Sequence, residues 1–165
     1  MPNSIEIQIA DAIASELNGE DFGLEFKAER SYADISSPLE DMDVLKVDVV
    51  PWSAESTLNS RGSLLYTVET DVVIRKRFEP RTQDVRTGRI PVADIDLLMK
   101  LRQDIKEFFE PSQASQDGRS LADVPDAVWS GTRTMAAYVR GHLKTLRQFT
   151  AWIRIEYEIG RVAGS

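Results

Sequence analysis

The sequence predicts an α+β fold: a single, mainly antiparallel sheet, two helices packed on one of its faces, and a long protruding hairpin. Three observations carry this. Apolar residues recur at helical spacing in two stretches only, near residues 5–17 and 95–108. Between these stretches and after the second, apolar and polar residues alternate with the two-residue period of half-buried strands. The resulting order, α-β-β-β-α-β-β, groups the strands and does not interleave them with helices, which favours antiparallel α+β layers over a parallel βαβ sheet.

Each element follows from its own pattern. Ile5, Ile9, Ala12, Ile13 and Leu17 form one helical stripe; Asn3 and Glu6 match a capping box, and Asn18-Gly19 supplies a stop. A helix with a single stripe needs a broad apolar surface, most simply a sheet. Leu24, Phe26 and Ala28 alternate with Glu25, Lys27 and Glu29 as a strand, and residues 33–43, with Ser36-Ser37-Pro38 and three acids, read as a loop. Leu45, Val47 and Val49 make the next strand, which Pro51 closes. Residues 52–63 read as a polar loop ending in Ser60-Arg61-Gly62-Ser63. A long strand follows, with Leu64, Tyr66, Val68, Thr70, Val72 and Ile74 on one face, and the two strands form a hairpin.

Residues 79–91, bounded by Pro80 and Pro91, are a second loop. Ile95, Leu98, Leu101, Ile105 and Phe108 define the second helix, and Asp94 and Asp96 suit the positive end of its dipole. Residues 110–126, rich in Pro, Ser, Gln, Asp and Gly, read as an exposed loop. A short strand over 127–136 and a turn over 140–146 lead to a final strand. There Phe149, Ala151, Ile153, Ile155 and Tyr157 share one face, and Thr150, Trp152, Arg154, Glu156 and Glu158 the other. Residues 160–165 read as a frayed tail.

At 165 residues the chain fits one domain spanning 1–165. A domain of this size buries roughly 70% of its unfolded surface and needs no covalent staple. The sequence has no cysteine, which excludes disulfides, thiolate metal sites and a cysteine nucleophile. The first residues are amphipathic and acidic, unlike a signal peptide, and no run approaches the ~18 apolar residues of a transmembrane helix. The expectation is a soluble intracellular domain with no membrane partner.

Catalytic motifs are missing. His142 is the one histidine and sits beside Gly141 in a polar turn, so it cannot build a histidine-rich metal site. No glycine-rich phosphate cradle and no G-x-S-x-G elbow is present. The acid pairs Asp94/Asp96 and Glu156/Glu158 are accounted for by a helix start and an outer strand face. The expectation is therefore no enzyme, no catalytic residue, no metal and no cofactor.

Charge is distributed unevenly. The total is −7, and residues 1–50 hold twelve acids against three bases, whereas residues 75–89 hold six bases against two acids. Such an acidic chain is a poor general binder of duplex nucleic acid. Acidic and basic patches on one domain suit head-to-tail association of copies. Trp52 opens a polar loop and Trp152 faces away from the final strand's apolar row, positions compatible with interface anchors.

The opening helix IADAIASELN, the strands LEFKAERSYADI and VLKVDVVP, the stretch SRGSLLYTVETDVVIRKRF, the helix IDLLMKLRQDIKEFF and the closing LRQFTAWIRIEYEI share a layout. In it the chain resembles the tail-terminator and neck (head–tail joining) proteins of tailed bacteriophages, over roughly 1–110 and 138–159. The resemblance implies a structural virion protein assembled in the host cytoplasm. It would form a hexameric ring that terminates the tail tube and joins it to the head connector. Its partners would be copies of itself, tail tube and sheath or connector proteins; DNA would pass through the lumen without specific binding. Position and charge then nominate Arg61, Arg75, Arg77, Arg81, Arg86, Arg89, Glu40, Asp41, Asp43 and Trp52 as subunit-interface residues. The alternative is a small intracellular ligand- or protein-binding α+β domain without catalytic activity.

Overall fold

The structure, a computed structural model, describes residues 3–32, 35, 38–79 and 90–162. It is α+β, as the alternation of patterns predicts. The elements run α1 (Ile5–Asn18), β1 (Ala28–Arg30), β2 (Lys46–Ser60), β3 (Ser63–Arg77), α2 (Val92–Phe109), β4 (Val128–Ala136), a π-turn (His142–Leu146) and β5 (Gln148–Val162). The strands form one five-stranded sheet in the order β1-β2-β3-β5-β4. The β1–β2 pair is parallel and the other three are antiparallel.

Alternation sorts the strand side chains onto two faces. Val47, Val49, Val68, Val72, Ile74, Phe149, Ala151, Ile153, Ile155, Tyr157 and Ile159 form the core face. They join Ile9, Ile13 and Leu17 of α1 and Leu98, Leu101, Ile105 and Phe109 of α2 in one apolar cluster. Each of these side chains contributes about 1.5–3 kcal/mol by leaving water.

Five local expectations need correction. The N-cap of α1 is Ser4, without a side-chain cap bond, and not an Asn3/Glu6 capping box; Gln8 reaches back instead and donates to the Asn3 carbonyl. The strand expected from Leu24 begins only at Ala28. Leu24 and Phe26 do pack against the core, but they make no ladder. Residues 52–60 are strand, not loop, for β2 runs unbroken past Pro51 to Ser60. The turn is just Arg61-Gly62, with Gly62 at φ +83°, a conformation that costs glycine little. Residues 160–162 belong to β5 and are not a frayed tail.

The fifth correction concerns 110–126. Its first part is exposed, but Leu121 and Val124 are buried in the core. Arg119 pairs with Glu16 at 2.9 Å and stacks over the Phe108 ring at 3.7 Å. Tyr157 donates to the Arg119 carbonyl at 2.6 Å, and a Cβ on Gly118 would stand 2.3 Å from the Trp129 ring. The segment is a strap across the end of the core, and Gly118 is there because the indole leaves no room for a side chain.

Asn18 takes over the job of a strand at the entry to β1. Its amide donates to the Ala28 carbonyl at 2.9 Å and accepts from the Ala28 N–H at 2.7 Å. Asn18→Ala strands both groups of a buried residue, at a cost of about 1–3 kcal/mol, read as a lower urea midpoint with an unchanged m-value.

Burial pushes the Tyr157 phenol well above its ordinary pKa, with Glu16 adding to this and Arg119 opposing it. The folded chain then holds the phenolic proton after the unfolded chain has begun to lose it near pH 10. Stability is therefore whole below that pH and falls as pH rises further, at up to about 1.4 kcal/mol per pH unit. Tyr157→Phe should remove this part of the alkaline loss in unfolding curves between pH 9 and 11.

Candidate functional site

The sheet's second face carries charge where the first carries aliphatic side chains. Asp71 of β3 and Arg154 of β5 are direct register partners. Arg154 donates from Nε and Nη2 to the two Asp71 carboxylate oxygens at 2.7 and 3.0 Å, a bidentate pair in which Arg154 is 9% exposed and Asp71 6%. The hydrogen bonds Arg154 donates to Asp71 hold the guanidinium more firmly in its charged form, against the opposing effect of burial. Glu69 lies 3.5 Å from Arg154 and 3.6 Å from Arg133 of β4. Arg133 and Arg154 are register partners, so Glu69 sits where two like charges would otherwise repel. Trp52 covers the group, with the Arg154 guanidinium 4.4 Å from its ring centre. Trp52 is an extra residue, inserted where the β2–β3 register shifts between Pro51 and Ser53, and the bulge re-aims its side chain.

A second ionic pair lies nearer the β5 start. Arg75 donates to Asp48 at 2.7 Å, with both residues buried. Beside it, Gln148 accepts from the Leu39 N–H at 2.8 Å and donates to the Thr150 hydroxyl at 3.1 Å, which meets His142 Nδ1 at 2.7 Å. Two connections, around Leu39 and around His142, are thereby fastened to this end of the face.

The candidate interface residues fall in different places. Arg75 is 4% exposed and committed to Asp48, so it is not available to a neighbour. Arg77 donates to the Leu39 carbonyl at 2.9 Å and accepts from the Asp43 N–H at 2.6 Å. This brings the acidic stretch Glu40–Asp43 beside a basic strand end of the same chain, where the sequence suggested separate acidic and basic poles. Glu40, Asp41 and Arg61 are exposed, Asp43 is half-buried, and Trp52 is 59% exposed. Arg81, Arg86 and Arg89 lie outside the described residues.

The sequence reading missed Asp71, Arg154, Glu69, Asp48 and Arg133. A signal existed in the opposite charges alternating along both strands, but it means something only once the β3–β5 register is known.

Beyond this face, the outer half of the β2–β3 hairpin is bare: every residue from Glu55 to Gly62 is exposed, and Leu58 is 74% exposed. Among the described residues, β1 pairs with β2 along Val47–Val49 alone, and β4 has no strand on its far side. Among the described residues no group of three His, Asp or Glu is placed to hold a metal, and no helix is long and apolar enough to cross a membrane. An open groove of about 550 Å³ lies between residues 25–29 and 43–48, lined by Phe26, Val44 and Leu45 as well as by Glu25, Lys27 and Glu29. No protein-family model matches the chain, and no curated protein matches its sequence.

Arg154→Met leaves Asp71 buried without its partner and should cost about 3–5 kcal/mol in urea unfolding. Adding Asp71→Leu in the same chain should recover most of that loss, because a matched apolar pair has no charge to desolvate.

Proposed function

We propose that this chain is a structural subunit of a bacteriophage neck, forming a ring that terminates the tail tube and joins it to the head connector. The observation that supports this most is the outer half of the β2–β3 hairpin. Beyond the core-facing part of β2, Glu55–Ser60 and the turn at Arg61-Gly62 stand in solvent, with Leu58 exposed near the tip. They suit an element that reaches a neighbour. The layout that resembles tail-terminator and neck proteins supplies the identity of that assembly.

Multi-angle light scattering of the purified protein across concentration and salt, followed by negative-stain imaging, tests the reading. The expected result is closed rings of identical subunits that loosen as salt screens the charges between them. A monomer at every concentration overturns the self-assembling ring and favours a small binding domain.

A further inference from the structure

We propose that the two open edges of the sheet pair with each other between copies of this chain, β4 of one copy lying antiparallel along the outer half of β2 of the next. This rests on the ring reading above and names its contact.

An open strand edge presents a row of unpaired N–H and C=O groups, and such rows recruit further strands. Here there are two, on opposite borders of one sheet. Among the described residues no strand pairs with this side of β2 beyond β1 at Val47–Val49, and the open part includes the nine residues Trp52–Ser60. β4, Val128–Ala136, is also nine residues. Joining unlike edges is a head-to-tail contact that repeats from copy to copy and closes when the rotation allows. The strand directions fit: β2 and β4 run oppositely within the sheet, since three antiparallel steps separate them. Copies related by rotation within a continuing sheet keep those directions, so the edges meet antiparallel, the arrangement with the better ladder.

Charge selects a register. Trp52–Ser60 carries one charged residue, Glu55, and Val128–Ala136 carries one, Arg133; both are exposed. Both also belong to the second face, for Glu55 is the register partner of Thr67 and Arg133 of Arg154. Setting Glu55 opposite Arg133 brings Trp52 to Ala136 and Ser60 to Val128, so the two nine-residue segments overlap along their whole length. Between the bulges, Ala54–Thr57 then lies along Gly131–Thr134, with small residues on either side of the Glu55–Arg133 pair.

The same register gives a sheet that can close. Within one copy Arg133 is level with Val50, through Arg154 and Asp71. Meeting Glu55 requires a slide of four to five residues for every four strands, the bulge at Trp52 accounting for the range. At ~3.3 Å per residue and ~4.8 Å per strand that is a tilt of about 35–40°, inside the range for closed barrels.

The chain has no cysteine, so the double variant Glu55→Cys/Arg133→Cys reports this contact directly. Within one copy the two positions are three strand spacings apart across the sheet and four to five residues apart along it, ~20 Å in all, far beyond the reach of a disulfide. The expected result under mild oxidation is a covalent ladder on non-reducing gels, ending at the size of the ring seen by light scattering. Rings that form under reducing conditions but give no ladder overturn the edge pairing and leave the ring reading standing. Absence of rings in the unmodified protein overturns both. As a second measure, Glu55→Arg or Arg133→Glu alone should raise the concentration needed for assembly about threefold to tenfold. The double exchange should restore it, and equal behaviour of the singles and the double also overturns the register.

Discussion

The ladder between β3 and β5 is the constraint on which the rest of the structure depends. Fifteen consecutive residues of each strand pair without a register shift, from Ser63 with Val162 to Arg77 with Gln148, whereas the flanking β2–β3 and β4–β5 ladders each carry two irregularities. A slip of one residue between the two strands would turn one of them over, sending either Val72 and Ile74 to the charged side and Asp71 into the helices, or Ile153 and Ile155 to the charged side and Arg154 into the helices. The apolar core and the ionic face are therefore two consequences of one register. Strand irregularities are confined to the outer strands, where they re-aim Trp52 without disturbing the centre.

That register also explains why the second face can bury charge. Buried ion pairs are weak contributors to net stability, because desolvation offsets most of the Coulomb gain. Asp71 and Arg154 meet in the favourable geometry for such a pair: two hydrogen bonds in a planar fork, an aromatic ring above, and a second carboxylate within 3.5 Å. A one-residue slip would bury one of the two away from its partner. The pair thus penalises misaligned strands more than it rewards the native one, which is the attested use of polar groups in cores.

How much of this was legible follows from where one face is apolar and the other is not. The helices and the strands over 64–74 and 149–157 were readable because one face of each is mainly aliphatic, which writes a period into the sequence. Residues 52–60 carried no period because both faces are exposed, so a strand held by its neighbour's backbone looked like a polar loop. The strap around Leu121 was hidden for the opposite reason. A few buried residues among Pro, Ser and Asp, fixed by Glu16, Phe108 and Tyr157 from distant parts of the chain, leave no local signature. Arg75 was legible as a base in a basic run but not as a buried partner of Asp48, since that depends on tertiary pairing across 27 residues.

Proteins usually blunt open strand edges with lysine, proline, bulges or short length. β2 has Pro51 at the inner end of its open part and no lysine beyond it. Its outer part is long, and the bulges of both edges fall outside the four-residue stretches Ala54–Thr57 and Gly131–Thr134. Each edge thus keeps a regular segment flanked by irregular ones. Flanking bulges limit how far a foreign strand can zip along either edge, and Pro51 ends any ladder before it reaches β1. A single opposite charge on each segment opposes edge-to-edge pairing of like strands, Glu55 against Glu55 or Arg133 against Arg133, and permits the unlike pair. The protection is therefore selective: it guards against indiscriminate stacking while leaving one heterologous match of defined length, which builds a closed ring where the rotation between copies closes.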